Sequence, residues 1–385
     1  MKYKSLFSLS TLLVILAACS KETVRVPNVV NVDLFGLNAN LTIHTSEQKV
    51  LLDAEDPEEL ISENESSYGA NSLSKPLPVA FSWDETNDLN QKASKYQLSI
   101  SENVDMYDAL SYTTKAKNLE VYNLKINTRY YYQVSSIHSG KSFKSEVTNF
   151  IIEDYAPRNI YVDGVENVRD LGGWDIGNNK VYKQGMIYRT AQFNKNGYGT
   201  LYNSAVTKAG KSTLVDELGI KTDIDLRRTD DFDGTDEVNG ITSSPLGKSI
   251  NYVSAPMFYG NRNIFTDSSN HPSIINFFNT LADENNYPIA FHCVRGTDRT
   301  GALAYALGAL VGMSKEDLML DYLFSDMANI GTPVLASTIS GSLFYPWGID
   351  HSEGTTLSEK AKNYLHNTVG VEISTLETII DILTE

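Results

Sequence analysis

Cysteine is almost missing from this chain: 385 residues contain two, Cys19 and Cys293. No disulfide framework can be built from so few, and the fold must rest on its own cores. Positive charge is also scarce, with 32 Lys and Arg against 48 Asp and Glu and a net charge of -16. Nucleic-acid binders carry a basic footprint, so nucleic acid is excluded as a partner, and any phosphate site must be a local positive feature in a negative background. The six histidines are scattered without metal-ligand spacing, which gives no reason to expect a metal or another cofactor. Beyond residue 20 no apolar run approaches the length of a membrane span.

What is present begins with "MKYKSLFSLSTLLVILAACSKE", in which two lysines precede an apolar run, two alanines and Cys19. The pattern is that of a signal peptide. Its small residues before Cys19 resemble a bacterial lipoprotein signal, which implies lipidation of Cys19. The expectation is an extracytoplasmic bacterial membrane lipoprotein, held to the membrane by its lipid anchor only. With Cys19 set apart, Cys293 has no cysteine to pair with. It is either a buried small hydrophobe or a nucleophile.

Three textures follow the signal over residues 1–19. Residues 20–72 are weakly patterned: "VRVPNVVNVDL" and "NLTIHTSEQKVLL" support short strands, and "DAEDPEELISENESS" is an acidic polar run. They are expected to form a solvated spacer. Residues 73–153 read as all-β, with "PVAFSWD", "KYQLSIS", "DALSYTT", "RYYYQVSSI" and "SEVTNFII" alternating between turn residues. Trp83, Tyr130, Tyr131 and Tyr132 are assigned to core and cross-strand packing, with a carbohydrate-binding face as the alternative. This stretch resembles a fibronectin type III domain, Leu124 to Tyr130 matching its tyrosine-corner element. An immunoglobulin-like sandwich, with a protein or glycan partner, stays open. Residues 154–385 alternate strands with helices, among them "STLVDELGI", "KTDIDLRR", "SINYVSAPM", "HPSIINFFNTLADE", "YPIAFHC" and "TGALAYALGALVGM". Such a pattern predicts an α/β domain with a central, largely parallel sheet flanked by helices, and active loops at the carboxyl ends of its strands.

The stretch "AFHCVRGTDRTGAL" resolves the question of Cys293. A buried strand delivers the thiol to its carboxyl end, and a helix begins almost at once. Residues Val294 to Arg299 must form a tight loop whose backbone N–H groups converge above the helix N-terminus, a nest for an oxyanion. Gly296 and Gly301 supply the permissive backbone. The same placement favours the thiolate of Cys293, and Arg299 presents a planar fork matched to two phosphate oxygens. Thiolate, guanidinium and amides together suit in-line attack on phosphorus through a thiophosphate intermediate.

Cys293, five intervening residues and Arg299, within "HCVRGTDRTG", resemble the signature loop of the protein tyrosine phosphatase superfamily, closest to a bacterial branch. "NVRDLGGW", "GMIYRTAQ", "DIDLRRTDD" and "SKEDLMLDYLFSD" resemble that branch's other elements in order, from Asn159 to the C-terminus. The resemblance implies metal-independent phosphomonoester hydrolysis, with Cys293 as nucleophile and Arg299 as phosphate ligand. His292 orients the cysteine, Thr300 stabilises the departing thiolate, and the amides of Val294, Arg295, Gly296, Thr297, Asp298 and Arg299 bind oxygens. Thr297 stands where the branch commonly has Lys, and Arg295 is the candidate to restore that charge. For the general acid, Asp298 is taken first, with Asp230 and Asp267 as alternatives. Arg169, Asp170, Arg189 and Arg228 either contact phosphate or form ion pairs that fix the loops. The implied substrate is a phosphotyrosine protein at the cell surface. Phosphoinositides, inositol phosphates or other small phosphomonoesters are the alternative, and an inactive phosphate-binding or adhesion module is the alternative of another class.

Overall fold

The computed structural model describes residues 30–64, 71–87, 92–194, 205–228, 243–258, 264–330 and 346–385. The signal segment, Cys19 and Asp230 lie outside them.

The first half is built on two antiparallel-dominated sheets. In chain order its strands are β1 (Val30–Leu34), β2 (Asn40–Leu41), β3 (Val79–Asn87), β4 (Lys95–Ser101), β5 (Leu110–Thr114), β6 (Asn118–Val121), β7 (Thr128–His138), β8 (Lys141–Lys144) and β9 (Thr148–Ile152). One sheet runs β1-β3-β6, and the other β2-β9-β7-β4-β5 with β8 also on β7. Alternation explains the core between them: Phe81 and Trp83 from β3, Leu98 and Ile100 from β4, and Tyr130, Tyr132 and Val134 from β7 all point inward. Phe81 meets the rings of Tyr132 and Phe150 edge-on at 5.0 and 5.7 Å. The Tyr130 hydroxyl accepts a hydrogen bond from the Lys125 amide at 2.8 Å, pinning the turn ahead of β7.

Residues 30–64 carry the short strands expected in this stretch, but they are packed onto the neighbouring sheets and core rather than solvated. β1 pairs along its whole length with β3, and β2 runs parallel to β9. Two short helices follow, α1 (Ser46–Leu52) and α2 (Pro57–Glu63). Thr45 and Gln48 close a capping box on α1, while Asp56 caps α2 with Pro57 in its first turn. These are local start signals that the acidic composition hides. Leu51 and Ile61 from the two helices are fully buried in the core of the second half.

That second half contains one six-stranded sheet: β10 (Arg158–Asn159), β11 (Arg169–Asp170), β12 (Ile187–Thr190), β13 (Thr222–Asp225), β14 (Asn251–Ser254) and β15 (Ile289–His292). Its order is β10-β11-β12-β15-β13-β14. The four strands from β12 to β14 are mutually parallel, and β10 and β11 form an antiparallel edge. β15, central among the parallel strands, reads IAFH with every residue buried. Flanking helices are α3 (Lys208–Ser212), α4 (His271–Leu281), α5 (Asp298–Val311) and α6 (Lys315–Leu323). Thirteen residues of α5, from Arg299 to Val311, are buried, as an all-round apolar helix must be.

The halves are joined by polar contacts at matched positions. Arg158, almost fully buried, pairs with Asp170 at 2.7 Å and donates to the carbonyls of Leu124 (3.2 Å) and Asn123 in the sandwich. Gln184 exchanges two hydrogen bonds with the backbone of Ile126, at 3.0 and 2.9 Å.

Candidate active site

Parallel strands that end together put their following loops together, and here those loops meet around Cys293. The thiol follows β15 directly, is 2% exposed, and packs in the apolar core. From Cys293 to Thr297 the chain makes one tight loop, with Thr297 as the N-cap residue of α5.

The direction of the peptide groups in this loop is set from outside. The Val294 carbonyl accepts from the Gln192 amide at 3.1 Å, the Arg295 carbonyl from Asn167 Nδ2 at 3.0 Å, and the Gly296 carbonyl from Arg189 Nη2 at 2.7 Å. The Thr297 carbonyl accepts from the Gly301 amide at 2.7 Å. With these four carbonyls tied from outside, the N–H groups that follow them, on Arg295, Gly296, Thr297 and Asp298, point the opposite way, and those of Gly296, Thr297 and Asp298 meet no acceptor among the described residues. Buried N–H groups without acceptors are costly unless a ligand supplies them. The positive end of the α5 dipole lies behind them.

Gly296 makes the loop possible. Its φ is +75°, and a Cβ there would lie 2.5 Å from the Thr190 carbonyl oxygen. Gly301 lets α6 approach α5, since a Cβ would come within 2.9 Å of the Tyr322 ring. That approach delivers Asp321 to two arginines.

Arg169 and Arg189 are both fully buried and share Asp321: Arg169 Nε donates to one carboxylate oxygen at 3.0 Å, and Arg189 Nη1 to the other. Arg169 also reaches the Asp321 carbonyl at 2.7 Å, the Ser325 hydroxyl at 3.1 Å and the Asn167 side chain. Burial would raise the Asp321 pKa, but the two guanidinium charges outweigh it and hold the carboxyl low. Burial pulls Arg169 down to about 10, opposed by Asp321 and assisted by Arg189, which leaves it charged at neutral pH. Of the two roles open to them, Arg169 and Arg189 therefore take the ion-pair role, bracing the loop. Asp170 pairs with Arg158, and the Arg228 guanidinium sits 5.1 Å from the Phe258 ring.

His292 is fully buried beside two acids, Asp223 and Asp225. Its Nδ1 lies 3.2 Å from the Cys293 carbonyl, and its Nε2 lies 3.2 Å from Asp223 Oδ1. Asp225 is the nearer partner of Arg227, with contacts of 2.8 and 2.6 Å. Burial pushes its pKa up, yet the His292 and Arg227 charges and the Arg227 hydrogen bonds overcome this and bring it to about 2.

Arg299 is 3% exposed and donates weakly through Nη1 to the carbonyls of Met257 (3.3 Å) and Leu226 (3.4 Å), which fixes the guanidinium beside the loop. Thr300 is fully buried, and its hydroxyl has no hydrogen-bond partner among the described residues. Asp298 stands in the first turn of α5, half-buried, with the Thr297 hydroxyl 3.3 Å from its carboxylate. Asp267 is engaged elsewhere: it caps a turn of 3-10 helix by accepting from the Ser269 amide at 2.9 Å, and those Ser269 bonds lower its pKa. Among the described residues no group of three or more His, Cys, Asp or Glu is placed to hold a metal.

Sequence reasoning left the bracing set incomplete. Asn167, Gln192 and Asp321 all lie inside quoted motifs without a role of their own. Asn167 carries a signal in its left-handed φ of +56°, a conformation that Asn tolerates.

A buried thiol at the mouth of an amide nest, with a guanidinium beside it, defines a site built to receive a tetrahedral oxyanion. Residues 160–385 match the tyrosine phosphatase family, and the chain belongs to that family. It is 23% identical over 190 residues to a protein named "Putative tyrosine-protein phosphatase" from Cupriavidus necator, covering 43% of this chain and 63% of that relative's length. Among solved structures, the core catalytic domain of PP-IP phosphatase SIW14 from S. cerevisiae, in complex with citrate, is 20% identical with a TM-score of 0.26. That match covers 37% of this chain and 75% of the other. A second structure of the Siw14 catalytic core is also 20% identical, with a TM-score of 0.24 over 37% and 79% of the two chains.

Proposed function

We propose that this protein hydrolyses phosphomonoesters through a cysteinyl-phosphate intermediate. The observation that carries the reading is the outward tethering of the loop carbonyls from Val294 to Thr297, which turns the amides from Arg295 to Asp298 away from those tethers, in the loop between Cys293 and Arg299. Preorganised donors of this kind stabilise the charge that develops on the equatorial oxygens in the transition state.

The Cys293 thiolate attacks phosphorus, the S–P bond forms as the ester P–O bond breaks, and Asp298 gives its proton to the leaving oxygen. Asp298 then takes a proton from water as that water attacks the phosphocysteine, releasing phosphate and the thiolate. The Thr300 hydroxyl, buried and without another partner among the described residues, donates to the departing sulfur. Asp298 is preferred to Asp267 because the latter carboxylate is already committed to Ser269.

The favoured substrate is a phosphotyrosine protein. The family match and the burial of Cys293 support an aryl phosphate as the first choice. Small phosphomonoesters, among them phosphoinositides and inositol phosphates, are the competing substrates. We read the N-terminal half as fibronectin type III-like, supported by the Tyr130–Lys125 bond, and the whole as a lipoprotein anchored outside the cytoplasm through Cys19.

The test is phosphate release by the full chain, with chelator present, from phosphotyrosine peptides, phosphoserine peptides, phosphoinositides and inositol phosphates, set against Cys293→Ser. Release that requires the cysteine supports the reading, and the best substrate identifies the class. A folded protein that releases nothing from any of them overturns it.

A further inference from the structure

A cleft separates the sandwich from the catalytic domain at the end of the sheet opposite Cys293. It consists of two adjoining cavities of about 400 and 490 Å³, which share Leu110, Tyr112 and Glu217 as a common wall. One side belongs to the edge strand β5, the other to α3 and the turn that follows it. Gln184, Gly185 and Met186 floor it just ahead of β12.

Of the charges in these walls, Glu102, Lys125 and Arg158 are held in ion pairs, whereas Asp108, Asp216 and Glu217 have no ion pair among the described residues. Lys125 pairs with Glu102 at 2.8 Å, and Arg158 is committed to Asp170 and to carbonyls of the sandwich. Asp108 accepts from Ser101 and from Asn103 Nδ2 at 2.6 Å. Glu217, on the wall common to both cavities, accepts from Asn123 Nδ2 at 3.3 Å and makes no ion-pair contact among the described residues. Burial pushes its pKa up, although the Asn123 bond and the Arg158 charge pull it down, meaning that its anion is poorly solvated and gains from a nearby cation. Around it the walls carry Tyr112, Tyr122, Tyr130 and Tyr188. Tyrosine faces attract organic cations through their quadrupoles. The three carboxylates outside any ion pair among the described residues, Asp108, Asp216 and Glu217, disfavour an anion here.

We propose that this cleft binds a small organic cation, its alkylammonium group set against Glu217 and its carbon skeleton among the tyrosines. The site is separate from the phosphatase chemistry and does not depend on it. The test is titration calorimetry of the full chain at physiological salt with choline and with n-butylammonium, each against its uncharged carbon isostere. At least one cation is expected to bind saturably, about tenfold or more tighter than its isostere. Glu217→Gln is expected to weaken it by a similar factor, and so is Tyr112→Leu, which decides the matter if the first variant does not fold. Phosphate-releasing turnover, or the unfolding transition if turnover is lacking, serves as the check on folding. The proposal is overturned if folded wild-type protein binds neither cation, if the isosteres bind as well, or if the folded variants bind unchanged.

Discussion

The sandwich and the catalytic domain bury different things. Between its sheets the sandwich buries aliphatic and aromatic side chains, with Glu85, Ser136 and His138 as a compact polar exception. The catalytic domain buries Arg158, Arg169, Arg189, Arg227, Asp170, Asp225, Asp321 and His292 as well. Apolar packing suffices to make a fold, and buried ion pairs are poor sources of stability because each charge must be desolvated. What they supply here is direction: Arg189 holds the Gly296 carbonyl outward, and Asp321 holds Arg189. Both halves have an apolar core, and the catalytic domain adds to its own a set of buried charges that aim the loop.

The difference can be sharpened by substitution. The largest expected effect is Cys293→Ser, which should lower turnover more than about 10⁴-fold while leaving the unfolding transition in place. Asp321→Asn should act on both, costing about 3–5 kcal/mol because two buried arginines lose their shared counter-ion. Urea unfolding with hydrogen exchange would place the loss in the catalytic domain, with the amides of β4 and β7 much less affected. Asp298→Asn should cost about a hundredfold in kcat with little change in stability, whereas Asp267→Asn should leave kcat nearly intact. A kcat measurement on an aryl phosphate separates the two.

Acid should also distinguish the halves. The Asp225 pKa is depressed, so its contribution is present above its unfolded value near 4 and lost as pH falls through about 2. About 2 kcal/mol should disappear between pH 4 and 2, and the loss should be absent in Asp225→Asn when thermal unfolding is followed across that range. The smallest effect expected is in the sandwich. Tyr130→Phe removes one hydrogen bond, to the Lys125 amide, and should cost about 1 kcal/mol without altering turnover.

Strands with strict alternation, such as "KYQLSIS" and "RYYYQVSSI", were legible because one face must be apolar for the sheets to pack. α5 was legible because its apolar run is longer than a strand needs. β6 and β8, at four residues each, were too short to show a period, and α1 and α2 were hidden by charge although their caps are written in Thr45, Gln48, Asp56 and Pro57. In the site, the loop itself could be read from spacing. Its bracing could be read only in part: Arg169 and Arg189 were candidates to fix the loops, but their shared partner Asp321 comes from another segment and meets them only when β11, β12 and α6 pack together.

The central claim is a covalent step on one sulfur, and acid quench of the enzyme during turnover of an aryl phosphate, followed by peptide mass spectrometry, tests it most directly. The account predicts a phosphoryl group on the peptide containing Cys293, absent from Cys293→Ser. Steady turnover without that adduct, and undiminished in Cys293→Ser, would contradict it.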